Sequence, residues 1–199
     1  MDLSDFEKIK GTVLHARMME KRDKRLADFL KEHQLADPKS VEYNPLPHCE
    51  MANCFRNVEA QVKIAGGRME TGWAFYELVE VSIHTVAHGV WITPTGRRRD
   101  ITPWRHPPDR RILFLPDPRV AIKRGYTAGW RTVFAADERF RAMQLFDGEL
   151  DRIVDENFTG MGQFMDIPMS RFRDAAARFG LPWEVASERV EQRMNNFGH

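Results

Sequence analysis

The sequence predicts an α+β fold, a small antiparallel β-sheet flanked by N-terminal and C-terminal helices. Three observations predict it. The β-branched and aromatic residues cluster in one central block, GWAFYELVEVSIHTVAHGVWI, with a period of two. Apolar residues recur at helical spacing on both sides of that block. The period changes at Gly66-Gly67 and at the proline-rich stretch 103–118, where glycine and proline end one element before the next begins. Strands grouped between helices indicate α+β rather than a doubly wound sheet.

Residues 1–36 read as helix, with Phe6, Ile9, Val13 and Leu14 in phase and Leu26, Phe29 and Leu30 repeating the pattern. Asp37-Pro38 breaks it, and PKSVEYNPLPHCE reads as an extended loop delivering the chain to Cys54. Residues 53–65 form a second helix through Val58, Val62 and Ile64. Two strands joined near Glu77–Val79 follow, then a turn at Pro94-Thr95-Gly96. Arg99–Thr102 and Ile112–Leu115 supply two more strands. From Thr132 the pattern is helical again through Phe134, Phe140, Leu145, Leu150, Ile153 and Val154. Two shorter helices close the chain, one capped by Ser170 and one opened by Pro182.

At 199 residues the chain reads as a single domain: N-terminal helices over 1–36, a core over about 45–118 and a C-terminal helical part over about 130–199. Hydrophobic residues make up 42% and charged residues 30%, the composition of a globular chain. Thirty Lys and Arg against 29 Asp and Glu leave a net charge of +1, which argues against a nucleic-acid or anionic-membrane partner. Arg97, Arg98 and Arg99 read as a solvated hairpin turn rather than a phosphate site. No apolar run has the length of a membrane span, and the charged start MDLSDFEKIK does not resemble a signal peptide, so the expected location is the cytoplasm. In that setting Cys49 and Cys54 are expected as reduced thiols rather than as a disulfide.

The candidate chemistry lies in the order Cys54, His88, Asp100. A thiol opening a helix gains acidity from the helix dipole. A histidine on a neighbouring strand can take its proton, and a carboxylate one turn further on can fix the imidazole tautomer. Each residue also has an ordinary structural reading: Cys54 as a buried helix residue, His88 as a satisfied core histidine, Asp100 as a turn residue bonding its own backbone. Only the set of three points to catalysis. Trp73, Trp91, Trp104, Trp130 and Trp183 read as core or pocket wall, with Trp91 and Trp104 placed to shape a substrate cleft. Met161, Met165 and Met169, four apart, read as core or lid packing.

The segments C54-F-R-N-V, H88-G-V-W and D100-I-T-P, in this order and context, resemble the transglutaminase-like branch of papain-type cysteine enzymes over about residues 50–105. The same pair of later motifs also resembles small bacterial proteins that lend no function. The first resemblance implies a papain/transglutaminase-like core and a thiol hydrolase or acyltransferase acting on an amide or ester through a covalent intermediate. Cys54 is then the nucleophile, His88 the general base and acid, and Asp100 the orienting carboxylate. Asn53 or Asn57 is a candidate oxyanion donor, and no cofactor is called for. The expected substrate is a small molecule or a peptide.

Two other classes stay open at this level. His84 and His88 share a strand face, and with Asp100 they supply the two imidazoles and one carboxylate of a zinc or non-haem iron site. Four residues of strand separate the histidines by about 13 Å, which only a bulge would shorten. His48, Cys49 and Cys54 form a second thiol-rich group without a fourth ligand. The third class is a non-catalytic binding module on the same scaffold.

Overall fold

The computed structural model describes residues 16–105, 107–120, 129–157 and 167–195, which fall into two compact units. One unit comprises residues 16–79 and 83–120 and is a β-barrel with two helices. The other comprises residues 80–82 and the described residues from 129 onward, and is mainly helical. The fold is mixed α and β, as expected. The expected helix over residues 1–15 and the methionines Met161 and Met165 lie outside the described residues.

In the barrel unit, β1 (Ala16–Met18) precedes α1 (Lys24–Glu32), β2 (Lys39–Tyr43) and α2 (Cys54–Ala65). The hairpin of β3 (Arg68–Leu78) and β4 (Ser82–Ile92) follows, then β5 (Arg98–Asp100) and β6 (Arg111–Pro116). The order β3-β6-β2-β5-β4, with β3 also paired to β4, closes five strands into a barrel, and β1 lies outside along β3. The expected antiparallel sheet closes on itself, and one of its pairs, β2 with β5, is parallel rather than antiparallel. Closure leaves no exposed edge within the five strands.

Two readings of the N-terminal region are corrected here. Residues 16–18 are strand rather than helix, and the helix runs only over Lys24–Glu32, started by Asp23, whose carboxylate accepts the Arg25 N–H at 2.9 Å. The stretch after Pro38 holds β2 rather than loop alone. Three-residue and five-residue strands are too short to show a period: β2 buries Val41 and little else. Arg98 and Arg99 also belong to a strand. Arg98 pairs through two bonds with Glu70, at 2.6 and 2.9 Å, and only Arg97 sits exposed beside the turn.

The barrel is filled by Val41, Ala74, Val90, Ile112 and Phe114, with Met18 and Trp104 packed against them. Helix α2 lies on a second cluster of Cys49, Val58, Trp91 and Ile101. Gly72 permits β3 to approach β6, since a Cβ there would lie 2.1 Å from the Leu115 carbonyl. A third joint is ionic. Glu77 of β3 is fully buried between Arg17 of β1 and Arg25 of α1, the latter at 2.8 Å. The two arginines are 58% and 38% exposed, so they regain water when the carboxylate is removed. Glu77→Ala is expected to destabilise the protein by about 2 kcal/mol, the value of charged hydrogen bonds rather than of an orphaned buried charge. A urea midpoint unchanged from wild type would contradict this.

The helical unit holds β7 (Arg131–Val133), α3 (Glu138–Glu156), α4 (Met169–Arg178) and α5 (Trp183–Asn195). The helix expected from Thr132 begins at Glu138, where Asp137 accepts the Arg139 N–H at 2.9 Å. The backbone before it is held instead by Val81, whose carbonyl accepts the N–H groups of Phe134 and Ala135. Helix α4 begins at Met169 with Pro168 at its N-cap position, two residues ahead of the expected Ser170 cap. Phe146, Leu150, Ile153, Phe172 and Val190 form the core of this unit, while Leu145 points outward. Among the described residues no helix is long and apolar enough to cross a membrane.

Candidate active site

Cys54 is the first residue of α2, so its sulfur sits at the end of the helix where N–H groups lack partners within the helix and the dipole is positive. Asn53 occupies the N-cap position without capping: its amide donates to the Glu50 carboxylate at 3.0 Å. The loop leading to Cys54 is tied down at several points. The Asn44 N–H donates to the Asp100 carbonyl at 2.8 Å and the Leu46 N–H to that of Ile101 at 3.1 Å. Asn57 accepts the Glu50 N–H at 3.0 Å and donates to the Glu50 carbonyl at 2.7 Å and to the Thr102 hydroxyl at 3.1 Å. Between these anchors Ala52 adopts φ 58°, a left-handed turn that sets the entry into the helix.

His88 and Asp100 come from β4 and β5, adjacent antiparallel strands on either side of the Pro94–Gly96 turn. His88 Nε2 lies 3.0 Å from Asp100 Oδ1, and both side chains are buried. A carboxylate accepts only, so Nε2 carries the proton and Nδ1 is left for Cys54. The thiol is hydrogen-bonded to His88, and its sulfur also receives the Gly89 N–H. Asp100 is held on both oxygens: Oδ1 accepts the Thr102 N–H at 3.2 Å, and Oδ2 accepts the Trp104 indole N–H at 2.6 Å. The Trp104 ring lies 4.9 Å from the imidazole and Phe114 meets it edge-on at 6.5 Å, so the pair is walled by aromatic carbon.

Burial opposes ionisation at both ends of the Cys54–His88 pair. At Cys54, only 8% exposed, that cost is outweighed by the His88 hydrogen bond, the imidazolium charge and the Gly89 N–H, and the thiol pKa falls below its ordinary value. At His88 burial is outweighed first by the Asp100 carboxylate, and the imidazole pKa is pushed up to about 10. The two directions together favour thiolate and imidazolium. Cys49 shows the contrast: burial pushes its thiol up, and it packs as a hydrophobe beside Val58 and Trp91.

The structure brings Cys54, His88 and Asp100 together, and Trp104 with them, as a clamp on Asp100. The remaining expected site residues have other contacts. The Asn57 amide is fully engaged in holding the Cys54 loop to Thr102. The Asn53 amide is engaged with Glu50. Trp91 packs under α2 and donates its indole N–H to the Gly66 carbonyl at 3.0 Å. His84, the expected second imidazole of a metal site, stacks on Tyr76 at 5.0 Å. Among the described residues no three His, Cys, Asp or Glu side chains converge as metal ligands, so the geometry behind the metal reading is not assembled. Two contributors escaped the sequence reading. Gly89 meets the sulfur through its backbone, which side-chain chemistry does not signal. Tyr43 pairs in register with Asp100 and accepts the Trp104 backbone N–H at its hydroxyl. Comparison with protein-family models, with curated proteins and with solved structures finds no match.

Proposed function

We propose that this chain is a thiol hydrolase or acyltransferase, similar in its site to transglutaminase-like cysteine enzymes, that attacks an amide- or ester-type carbon of a small molecule or peptide. The observation that carries the reading is the position of His88, bonded on one side to the Asp100 carboxylate and on the other to the Cys54 thiol. The Cys54 sulfur attacks the carbonyl carbon, and the C–S bond forms as the carbonyl electrons move to oxygen. His88 then gives the proton it took from the thiol to the departing amine or alcohol, and the C–N or C–O bond breaks. Water or an amine next attacks the thioester, yields its proton to His88, and releases the sulfur. Asp100 holds the imidazole in one tautomer throughout. A location in the cytoplasm fits the two free thiols.

Incubation with an activated ester tests the reading directly. Mass-mapped acylation is expected on Cys54 and not on Cys49, and Cys54→Ala is expected to abolish both the adduct and turnover while leaving the unfolding midpoint near wild type. Full activity in Cys54→Ala would overturn the mechanism.

A further inference from the structure

The nucleophile and its base stand on separate elements, and the bonds between them close into a ring. The Cys54 thiol is bonded to His88 of β4, and His88 Nε2 lies 3.0 Å from Asp100 Oδ1 at the end of β5. That same oxygen accepts the Thr102 N–H at 3.2 Å. The Thr102 hydroxyl in turn accepts from the Asn57 amide at 3.1 Å. Asn57 lies three residues after Cys54 on α2, so the ring returns to the helix it left, about 4.5 Å further along the axis. The backbone bond from Thr102 is one that any residue with an N–H could make, so the hydroxyl is what this side chain adds. Both Asn57 and Thr102 are buried. Val58, one residue on, packs with Trp91 and Ile101 and holds α2 down on the barrel. Apolar contact of that kind is non-directional and resists sliding weakly, whereas a hydrogen bond weakens steeply when its geometry is lost.

We propose that Thr102 is a positioning residue: through Asn57 its hydroxyl fixes α2 along its axis and so keeps the Cys54 sulfur in bonding reach of the His88 imidazole. The proposal rests on the thiol reading of the site and adds to it the residue that holds nucleophile and base in register. Thr102 touches neither sulfur nor substrate in this role. It acts through Asn57 on one side and through the Asp100 carboxylate on the other. A misplacement of about 1 Å between reacting groups can cost about a hundredfold in rate, so a single buried hydroxyl at this joint has a large lever on turnover.

Thr102→Val tests this, because it deletes the hydroxyl and keeps the branched shape and the backbone N–H to Asp100. Thr102→Ser restores the hydroxyl and is the control. In Thr102→Val, kcat on an activated ester is expected to fall about tenfold to a hundredfold with KM little changed. The acid limb of Cys54 labelling by iodoacetamide is expected to move to higher pH. Three groups act on the thiol besides burial: His88 of β4 and the Gly89 N–H of the same strand lower its pKa, and Asp100 of β5 raises it. Loosening the His88 bond lets burial and Asp100 push the thiol up. Thr102→Ser is expected to match wild type in kcat and in the labelling profile. A hydroxyl that serves stability alone would lower the urea midpoint of Thr102→Val and leave both readouts of the folded protein at wild-type values, and that result overturns the positioning role. Should Thr102→Val fail to fold, Thr102→Ala, which removes the hydroxyl and cannot clash, is read in the same way. Unchanged readouts in the variant, with wild-type Cys54 still acylated, leave the thiol reading standing. A wild-type Cys54 that takes no acyl group and labels no faster than free cysteine overturns both.

Discussion

His88→Ala is expected to reduce turnover of an activated ester by about a thousandfold, within the 10²–10⁴ that a positioned proton carrier contributes. Alkylation of Cys54 at pH 7 falls by a smaller factor. Without the imidazolium, burial and the Asp100 charge both push the thiol up, and only the Gly89 N–H still lowers it. Each unit of rise removes a tenfold share of thiolate at pH 7, while the more basic thiolate is about threefold more nucleophilic, so labelling drops about threefold per unit. The pH profile carries the sign. In the wild type the reactive form is present above the depressed thiol pKa and is lost as pH falls through it, and the imidazolium persists up to about 10. In His88→Ala the rise in labelling moves to the alkaline side of the ordinary thiol value. Identical pH profiles for the two proteins would show that His88 does not ionise the thiol.

Asp100→Ala is expected to be among the most destabilising single substitutions in the barrel unit, by about 3–5 kcal/mol, because removing one partner of a buried ion pair strands the other. Three donors lose their acceptor at once: His88 Nε2, the Thr102 N–H and the Trp104 indole. Asp100→Asn separates stability from chemistry. Its oxygen still accepts and its volume is unchanged, so the stability loss is smaller, about 1–2 kcal/mol. Its amide N–H₂ faces either the imidazole or the indole, and the imidazole tautomer is no longer fixed. Loss of that control lowers turnover by about 10⁴-fold where the orienting carboxylate of a triad becomes an amide. Urea unfolding and ester turnover, measured on both variants, check the pair of values. Equal turnover in Asp100→Asn and wild type would remove Asp100 from the machinery.

The parts of the fold written in long periodic segments were legible. The β3–β4 hairpin, α2 with its Gly66 stop, and the helices after residue 137 follow from spacing alone. What escaped was short or non-local. Strand β1 is three residues long, β2 buries a single valine, and the parallel pairing of β2 with β5 joins residues 57 apart in sequence, Glu42 and Arg99. None of these generates a local pattern. The site divides in the same way. His88 and Asp100 were legible as a pair because a turn separates them. The dual engagement of Asp100 was not, since the backbone bond to Thr102 is the ordinary turn contact and the indole bond to Trp104 needs the folded loop. Trp104 was expected as a cleft wall, and the structure adds its grip on the carboxylate. Asn57 carries the opposite lesson: a polar residue beside a nucleophile was read as a donor to substrate, and its amide holds the loop.

Asp100 serves two masters at once. Its side chain aims the imidazole, while its carbonyl accepts the Asn44 N–H and so fixes the start of the strand-to-helix passage that carries the sulfur. His88 and the loop leading to Cys54 thus share one mechanical datum. A thermal displacement of β5 carries both along together, as a common-mode error that cancels in their separation. The gap between the His88 nitrogen and the Cys54 sulfur is thereby isolated from much of the motion of the strand itself.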